Sequence, residues 1–367
     1  MREIHLPLSG RDVSYRLVIE PGLRHRLGSL LSPSQFPPQL FVISDRRVAG
    51  LHSASVIDSF AAVGFAPVLL TTLQGERAKT WPVVQRLSRE LLNRGAHRGS
   101  AVIALGGGVV GDLSGFLASI FMRGLPFIQV PTTLLAMVDA SIGGKTAINL
   151  PEGKNLLGTF HQPRLVALDP EFLHTLPRAE RLNGLAEVLK AGFIRDLTLL
   201  KRLAAVRTKL FNDEAELLET IYRAAAIKAK VVSQDEREGD LRRILNFGHT
   251  LGHGLEQASR FRVPHGRAVA WGMMAGLTLS EHLAGMDHAE AEWGRKLIRD
   301  FGLCCTLPKL DPEAVMSALR LDKKRQETGV PFVLLRRLGE AVIAADVPLD
   351  LVAEVLEKLL VGGQGVA

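Results

Sequence analysis

The sequence predicts an α/β protein in which an N-terminal Rossmann-like parallel-sheet domain, residues 1–176, precedes a mostly helical metal-binding domain, residues 177–367. Three observations carry this. Up to Leu176-Pro177, short apolar runs alternate with amphipathic stretches, the pattern of strands covered by crossover helices. Beyond that point, apolar residues recur almost entirely at helical spacing. Within the helical half, imidazoles and a carboxylate recur in short, recognisable segments.

In chain order, Glu3 to Leu8 and Val13 to Ile19, separated by Ser9-Gly10-Arg11-Asp12, read as an opening antiparallel hairpin. Leu40 to Ser44, Pro67 to Thr71, Ala101 to Leu105, Phe127 to Val130 and Leu165 to Leu168 read as buried strands, because each is a short run apolar on both faces. Trp81 to Gly95 is an amphipathic helix between two of them, and Leu113 to Phe121 another. In the second half, helical periods cover Leu182 to Val206, Glu214 to Gln234, Ile244 to Ala258, Arg267 to Ala284, Ala289 to Phe301 and Leu351 to Leu360. Pro331 to Leu335 and Ala341 to Ile343 form the one later hairpin expected.

At 367 residues the chain can bury two cores, and 47% hydrophobic with 23% charged residues is ordinary for a globular enzyme. The net charge of +7 points to an anionic partner. Nucleic acid is disfavoured, since aromatics make up only 5% and the basic residues are scattered among hydrophobic periods; the densest group, Lys323-Lys324-Arg325, suits an anion contact on a solvated surface. Cys304 and Cys305 are adjacent and build no disulfide framework, which points to a reducing compartment. No run reaches transmembrane length and the N-terminus carries no apolar signal core, so a cytoplasmic protein without membrane association is expected.

The strand at Ala101 to Leu105 runs into Gly106-Gly107-Gly108-Val109-Val110-Gly111-Asp112, whose glycines satisfy G-x-G-x-x-G ahead of a helical period. Backbone amides at such a turn can approach a pyrophosphate because no Cβ intervenes. The acidic ribose partner normally found about 20 residues on is missing, for Leu113 to Val138 contains no Asp or Glu. Asp45, after the strand Leu40 to Ser44, is the better candidate and implies a sheet order other than the standard one. Val138 to Thr146, followed by Gly153-Lys154-Asn155, imitates a phosphate loop, but the first glycine that motif needs is Asp139. The segment therefore reads as an exposed glycine-rich loop offering Lys145 and Lys154 to a compact anion. Arg123, isolated in an apolar segment, and Arg242 extend the cationic set.

Read as one helix, Asn246 to His253 places Asn246, His249 and His253 along a single stripe, with His265 following in a Pro/Gly-flanked turn. Glu187, one turn before Lys190 on another helical stretch, adds a carboxylate. Imidazole and carboxylate donors suit zinc or a similar cation, and three protein ligands leave a position open for chemistry. A lone helical histidine is more often solvated; the recurrence of several donors favours the metal.

Together these segments resemble the 3-dehydroquinate synthase family of sugar-phosphate cyclases. The likeness runs from Asp45 through Gly75-Glu76, Lys79, Gly106 to Asp112, Val130 to Leu134, Asp139 to Lys145, Gly153 to Leu156, Gly184 to Glu187 with Lys190, Leu245 to Thr250, His253 and Pro264 to Gly266, to Asp322-Lys323-Lys324. It implies a homodimeric enzyme holding NAD and Zn2+ or Co2+. The conversion would take 3-deoxy-D-arabino-heptulosonate 7-phosphate to 3-dehydroquinate by transient oxidation, phosphate elimination, reduction and intramolecular aldol. Glu187, His249 and His265 would be the metal ligands, whereas His253 would contact the substrate phosphate with Lys145, Lys154, Asn155, one of Lys323 and Lys324, and Arg123 from across a dimer interface. Lys228 and Arg242 would hold the substrate carboxylate, and Asp139, Lys190 and Asn246 the ring hydroxyls, so that Lys145, Lys190, Asp139, Asn246 and His253 form the catalytic group. Asp45, Gly75, Glu76, Lys79, the turn from Gly106 through Gly107, Gly108, Val109, Val110 and Gly111 to Asp112, Thr132, Thr133, Lys145 and Lys154 would meet the dinucleotide. Arg47, Arg77, Ala78 and Arg267 depart from the family pattern, the last two residues after His265. An inosose- or valiolone-type cyclase and a metal-dependent alcohol dehydrogenase are the competing readings; only the dehydrogenase would release NADH.

Overall fold

The computed structural model describes residues 1–8, 14–31, 36–304, 307–322 and 330–364. Residues 9–13, the expected first turn and the opening residue of the expected second strand, together with Cys305, Lys323, Lys324 and Arg325, lie outside them. The chain divides into two compact units, Met1–Arg181 with Lys228–Arg237, and Leu182–Ile227 with Glu238–Ala367.

The first unit is built on a seven-stranded sheet. Its elements are β1 (Arg2–Leu6), β2 (Tyr15–Ile19), β3 (Gln39–Asp45), α1 (Arg46–Ala61), β4 (Ala66–Thr72), α2 (Trp81–Asn93), β5 (Ser100–Gly106), α3 (Gly108–Ile120), β6 (Phe127–Pro131), β7 (Lys145–Leu150), β8 (Gly153–Phe160) and β9 (Leu165–Leu168). The sheet order is β1-β2-β9-β6-β5-β3-β4. β1 pairs antiparallel with β2, and every other neighbouring pair is parallel. The expected strands are all present, and Leu40, Phe41, Val42, Ile43 and Ala101 to Leu105 are buried to within 1% exposure, as strands covered on both faces require. From β3 the chain crosses one way to β4, and from β5 the other way to β6, so the order reverses between β3 and β5. The carboxyl ends of strands at such a reversal are where α/β sheets bind ligands. Asp45 and Gly106 close β3 and β5 at that reversal, where Ser44 pairs with Leu105.

One expectation is corrected here. Residues 145–160 are no loop: β7 and β8 pair antiparallel as a separate two-stranded sheet, with Thr146 and Ile148 buried against the first unit's core. Burial, though not residue polarity, alternates along Lys145 to Ile148 of β7, and the long row of exposed residues on β8 hides that strand from a hydrophobic-pattern reading.

The second unit holds α4 (Arg178–Arg195) from Leu182 onward, α5 (Leu197–Val206), most of α6 (Glu214–Gln234), α7 (His249–Ala258), α8 (His265–Leu283), α9 (His288–Asp300), α10 (Pro312–Asp322), the antiparallel hairpin of β10 (Val330–Arg337) and β11 (Glu340–Val347), and α11 (Leu349–Gln364). Asp196 splits the first helical period, because its carboxylate accepts from Leu199 N and caps α5. α7, α8, α10, α11 and β10 enclose a core that includes Leu251, Leu255, Ala268, Trp271, Val315 and Leu356.

Two further corrections bear on the site. Asn246 is not on the helix of His249 and His253: Leu241–Asn246 is a 3-10 turn, Phe247 and Gly248 form a turn with Gly248 at φ 78°, and α7 begins only at His249. A left-handed residue ends one helix direction and starts another, which no continuous periodicity can show. His265 is likewise no turn residue but the first residue of α8, with extended Pro264 before it.

Candidate active site

In the second unit three helices each contribute one donor. Glu187 comes from the middle of α4 and is almost fully buried, while His249 and His265 are the opening residues of α7 and α8. The Glu187 Oε1 atom lies 3.3 Å from His249 Nε2 and 3.1 Å from His265 Nε2, and one donor atom from each residue falls within 4.8 Å of the others.

The outward nitrogens fix the tautomers. His249 Nδ1 is 3.3 Å from the Phe247 carbonyl, and His265 Nδ1 is 3.4 Å from the Glu256 carboxylate. Neither oxygen can donate, so each Nδ1 carries the hydrogen and each Nε2 turns a lone pair inward. Two nitrogen lone pairs and a carboxylate oxygen then converge on one point, an arrangement that repels itself unless a proton or a cation lies between them. Lys190 Nζ pairs with Oε2, the other oxygen of Glu187, and leaves Oε1 facing the histidines. Burial alone would raise the Glu187 carboxyl, but Lys190 and the two imidazoles hold it well below the usual carboxylate range. Burial opposes charge on His265, yet its hydrogen bonds to Glu187 and Glu256 outweigh this and raise it to about 10. The His2Glu donor set fits zinc or a neighbouring divalent ion.

The start of α8 is held by a contact the sequence did not advertise. Asn183, one turn before Glu187, accepts from the backbone N–H of Gly266 and ties the first turn of α8 to α4. Its position directly before Gly184-Leu185-Ala186-Glu187, on the same helical face as Glu187, was the available signal. His253 lies one turn along α7 from His249, exposed, with ring centroids 5.4 Å from His249 and 6.5 Å from His265. It stands beside the donor triad rather than in it. Asn246, off the helix, donates from Nδ2 to Glu238 at 3.1 Å, and Arg242 is buried in the 3-10 turn.

In the first unit, α3 opens with Gly107 and Gly108 and no side chain caps it, so its first amides are presented bare. A Cβ on Gly107 would come 3.0 Å from Thr133, and one on Gly111 2.8 Å from Gln129, so the turn is closed on its sheet side and open only through backbone. Val110 is buried, Val109 half-buried, and Thr132 buried with its N–H donating to the Gly106 carbonyl. Asp45 caps α1, one carboxylate oxygen accepting from Arg47 N at 2.9 Å and Val48 N at 3.0 Å. The dinucleotide features of the sequence thus meet at the β3/β5 reversal, and bare helix amides flanked by a strand-end carboxylate fit a pyrophosphate and ribose.

The remaining residues form two polar clusters in this unit. Buried Lys79 pairs with Asp112 at 2.6 Å and donates to Asn155 Oδ1, while Asn149 donates to Glu76 at 2.7 Å and accepts from Asn155 N at 3.0 Å. Asn155, with φ 57°, thereby joins the Gly75–Lys79 segment, bringing together residues the sequence assigned separately to substrate and cofactor. Lys228 Nζ lies 2.6 Å from Asp139 Oδ1. Lys145 and Lys154 are exposed on β7 and β8, and Arg123 is exposed at φ 72°.

The comparison with known proteins follows the same residues. The profile of the 3-dehydroquinate synthase N-terminal domain matches residues 69–183, and that of the C-terminal domain residues 184–325. A 3-dehydroquinate synthase from Thermodesulfovibrio yellowstonii is 40% identical over 361 residues, covering 98% of this chain and all of that one. Among solved structures, a 2-deoxy-scyllo-inosose synthase complexed with carbaglucose-6-phosphate, NAD+ and Co2+ aligns with a TM-score of 0.88 at 26% identity, covering 97% of this chain and 99% of that one. A 2-epi-5-epi-valiolone synthase from Streptomyces hygroscopicus with NAD+ and Zn2+ bound gives 0.84 at 29%, covering 95% and 97%. Profile matches to both domains and 40% identity over 98% of the chain show that the chain belongs to the 3-dehydroquinate synthase family.

Proposed function

We propose that this protein is a 3-dehydroquinate synthase that works with NAD and one divalent metal ion, converting 3-deoxy-D-arabino-heptulosonate 7-phosphate to 3-dehydroquinate and phosphate. The observation that carries the reading is identity of 40% sustained over 98% of the chain with a protein of that name. The geometry gives it physical content. Glu187, His249 and His265 would hold the ion, and the Gly106–Gly111 turn with Asp45 the NAD. When bound, these groups supply a Lewis acid for a secondary hydroxyl and an acceptor for its hydride.

The chain's own residues supply charge and orientation. Lys190 keeps Glu187 ionised and its free oxygen aimed at the imidazoles. Lys228, already held by Asp139, is a preorganised cation for a substrate carboxylate, as is buried Arg242. His253, beside the triad and exposed, suits a phosphate, along with Lys145, Lys154, Asn155 and Arg123. Asp139, Lys190 and Asn246 can hydrogen-bond hydroxyls. The roles of Lys323 and Lys324 in phosphate binding rest on their place in the sequence alone. The enzyme is proposed to act in the cytoplasm as a homodimer; among the described residues no helix is long and apolar enough to cross a membrane.

The test is stoichiometric. A cyclase returns the hydride it takes, so incubation with the heptulosonate phosphate, Zn2+ or Co2+ and a trace of NAD should release phosphate and form dehydroquinate far in excess of the NAD, without lasting NADH absorbance. NADH accumulating in step with product would establish a dehydrogenase. No phosphate release from this substrate, with turnover of a hexose or sedoheptulose phosphate, would establish a sister cyclase.

A further inference from the structure

We propose that Glu256 is a positioning residue for the metal: the anionic partner that orients His265 and strengthens it as a ligand. The inference rests on the reading of Glu187, His249 and His265 as a divalent-metal site. The two histidines are held differently. His249 is oriented by a neutral backbone carbonyl, that of Phe247, at 3.3 Å. His265 is oriented by a carboxylate at 3.4 Å, from a side chain that is itself buried. A carboxylate accepting from the distal N–H of a histidine polarises the ring and increases electron density at the other nitrogen.

Charge explains why this site needs such a partner. A divalent ion there adds two positive charges to that of Lys190, against the single charge of Glu187 among the donors. Glu256 is the second carboxylate in contact with the triad, and it reduces the excess of positive charge from the side of α7. Its backbone is fixed as well. The Glu256 carbonyl accepts from Ser259 Oγ at 2.9 Å and from Phe261 N at 2.7 Å, so the turn that leads from α7 to His265 closes on the same residue.

Two substitutions separate charge from shape. Glu256→Gln keeps an oxygen able to accept from His265 Nδ1 but removes the charge; Glu256→Ala removes both. The zinc dissociation constant, measured by chelator competition on the full-length apoprotein, should rise about 10-fold for the first and about 100-fold for the second, the range typical of such outer partners. The visible absorption of the Co2+-loaded protein should change with it. The melting temperature of the apoprotein serves as the control on folding, and should Glu256→Ala fail to fold, the near-isosteric Glu256→Gln decides alone. Wild-type zinc affinity and an unchanged cobalt spectrum in Glu256→Gln, while His265→Ala loses the metal, would overturn the role of Glu256 and leave the site standing. Retention of metal by His265→Ala would remove both.

Discussion

The metal geometry depends on how closely α7 and α8 approach, and one glycine controls it. A Cβ built on Gly272 of α8 would sit 1.8 Å from the Gly248 carbonyl oxygen, 2.8 Å from its carbon and 3.0 Å from Gly252 N. Gly248 directly precedes His249, and its carbonyl accepts the first backbone hydrogen bond of α7 from Gly252 N at 3.0 Å. To restore ordinary contact at 3.4 Å the carbonyl must retreat by about 1.6 Å, and the atoms in the way are backbone, not the end of a flexible side chain. Ligand distances in a working metal site are held to about 0.2 Å. Gly272→Ala should therefore move His249 out of register with His265 by several times what the ion tolerates.

The stability and binding effects should separate. Alanine is the better helix former by about 1 kcal/mol, while overpacking of this kind costs about 1–3 kcal/mol, so the net loss should be about 0–2 kcal/mol and the protein should still fold. Zinc affinity should fall at least about 100-fold, equivalent to about 2.8 kcal/mol, because one of three protein donors no longer points at the site. Chelator competition and urea unfolding of the apoprotein measure the two. Gly50→Ala on α1, where no atom lies within 4 Å of the added Cβ, controls for the substitution itself. A folded Gly272→Ala that binds zinc within about threefold of wild type would refute the argument that this contact sets the ligand geometry.

Gly108→Val tests the dinucleotide turn: its Cβ would be 3.1 Å from Ala140 Cβ, a contact that a small shift relieves, so folding should change little while NAD affinity in a titration drops at least about tenfold as the bare amides are masked. Normal NAD binding would place the cofactor elsewhere. Lys79→Met leaves half-buried Asp112 without its counter-charge and should cost about 3 kcal/mol in urea unfolding, whereas Lys296→Met, on an exposed pair with Asp300, should leave the urea midpoint nearly unchanged. Equal losses would mean that burial does not distinguish the two. His52 and His161 are both held below their ordinary pKa, mainly by burial, so the fold prefers them neutral. The unfolded chain then binds more protons below about pH 6.5; stability is fully present above that pH and is lost as pH falls through the lower folded pKa values. His161→Gln, replacing a side chain 2.9 Å from the Leu125 carbonyl, should therefore lose less stability than wild type between pH 7.5 and 5.5; an equal loss would exclude His161 as a contributor.

How far the sequence could be read depended on whether each signal was local. Strands β3, β5, β6 and β9 were legible because burial on both faces leaves little room for polar positions, so the run itself announces the strand; β4, at the sheet edge and largely half-buried, was legible from its apolar run alone. β7 and β8 failed for the converse reason: six of the eight β8 residues are exposed, and only pairing defines the strand. The glycine turn and Asp45 lie 61 residues apart, yet both could be assigned because each ends its own strand, and the sheet order then brought the two ends together. The donor triad was harder. Its residue types were visible, but periodicity drew Asn246, His249 and His253 into one stripe and missed the break at Gly248, although an isolated glycine in a helical period is itself a warning. Proximity was invisible altogether, for Glu187 and His265 are 78 residues apart and meet only through the packing of α4, α7 and α8. That packing is written in glycines whose purpose depends on the partner helix: Gly266 lets α8 meet Asn183, and Gly272 lets it meet Gly248. A sequence shows that a residue is small; only the fold shows what the missing Cβ makes room for, and here it is the carbonyl in front of a metal ligand.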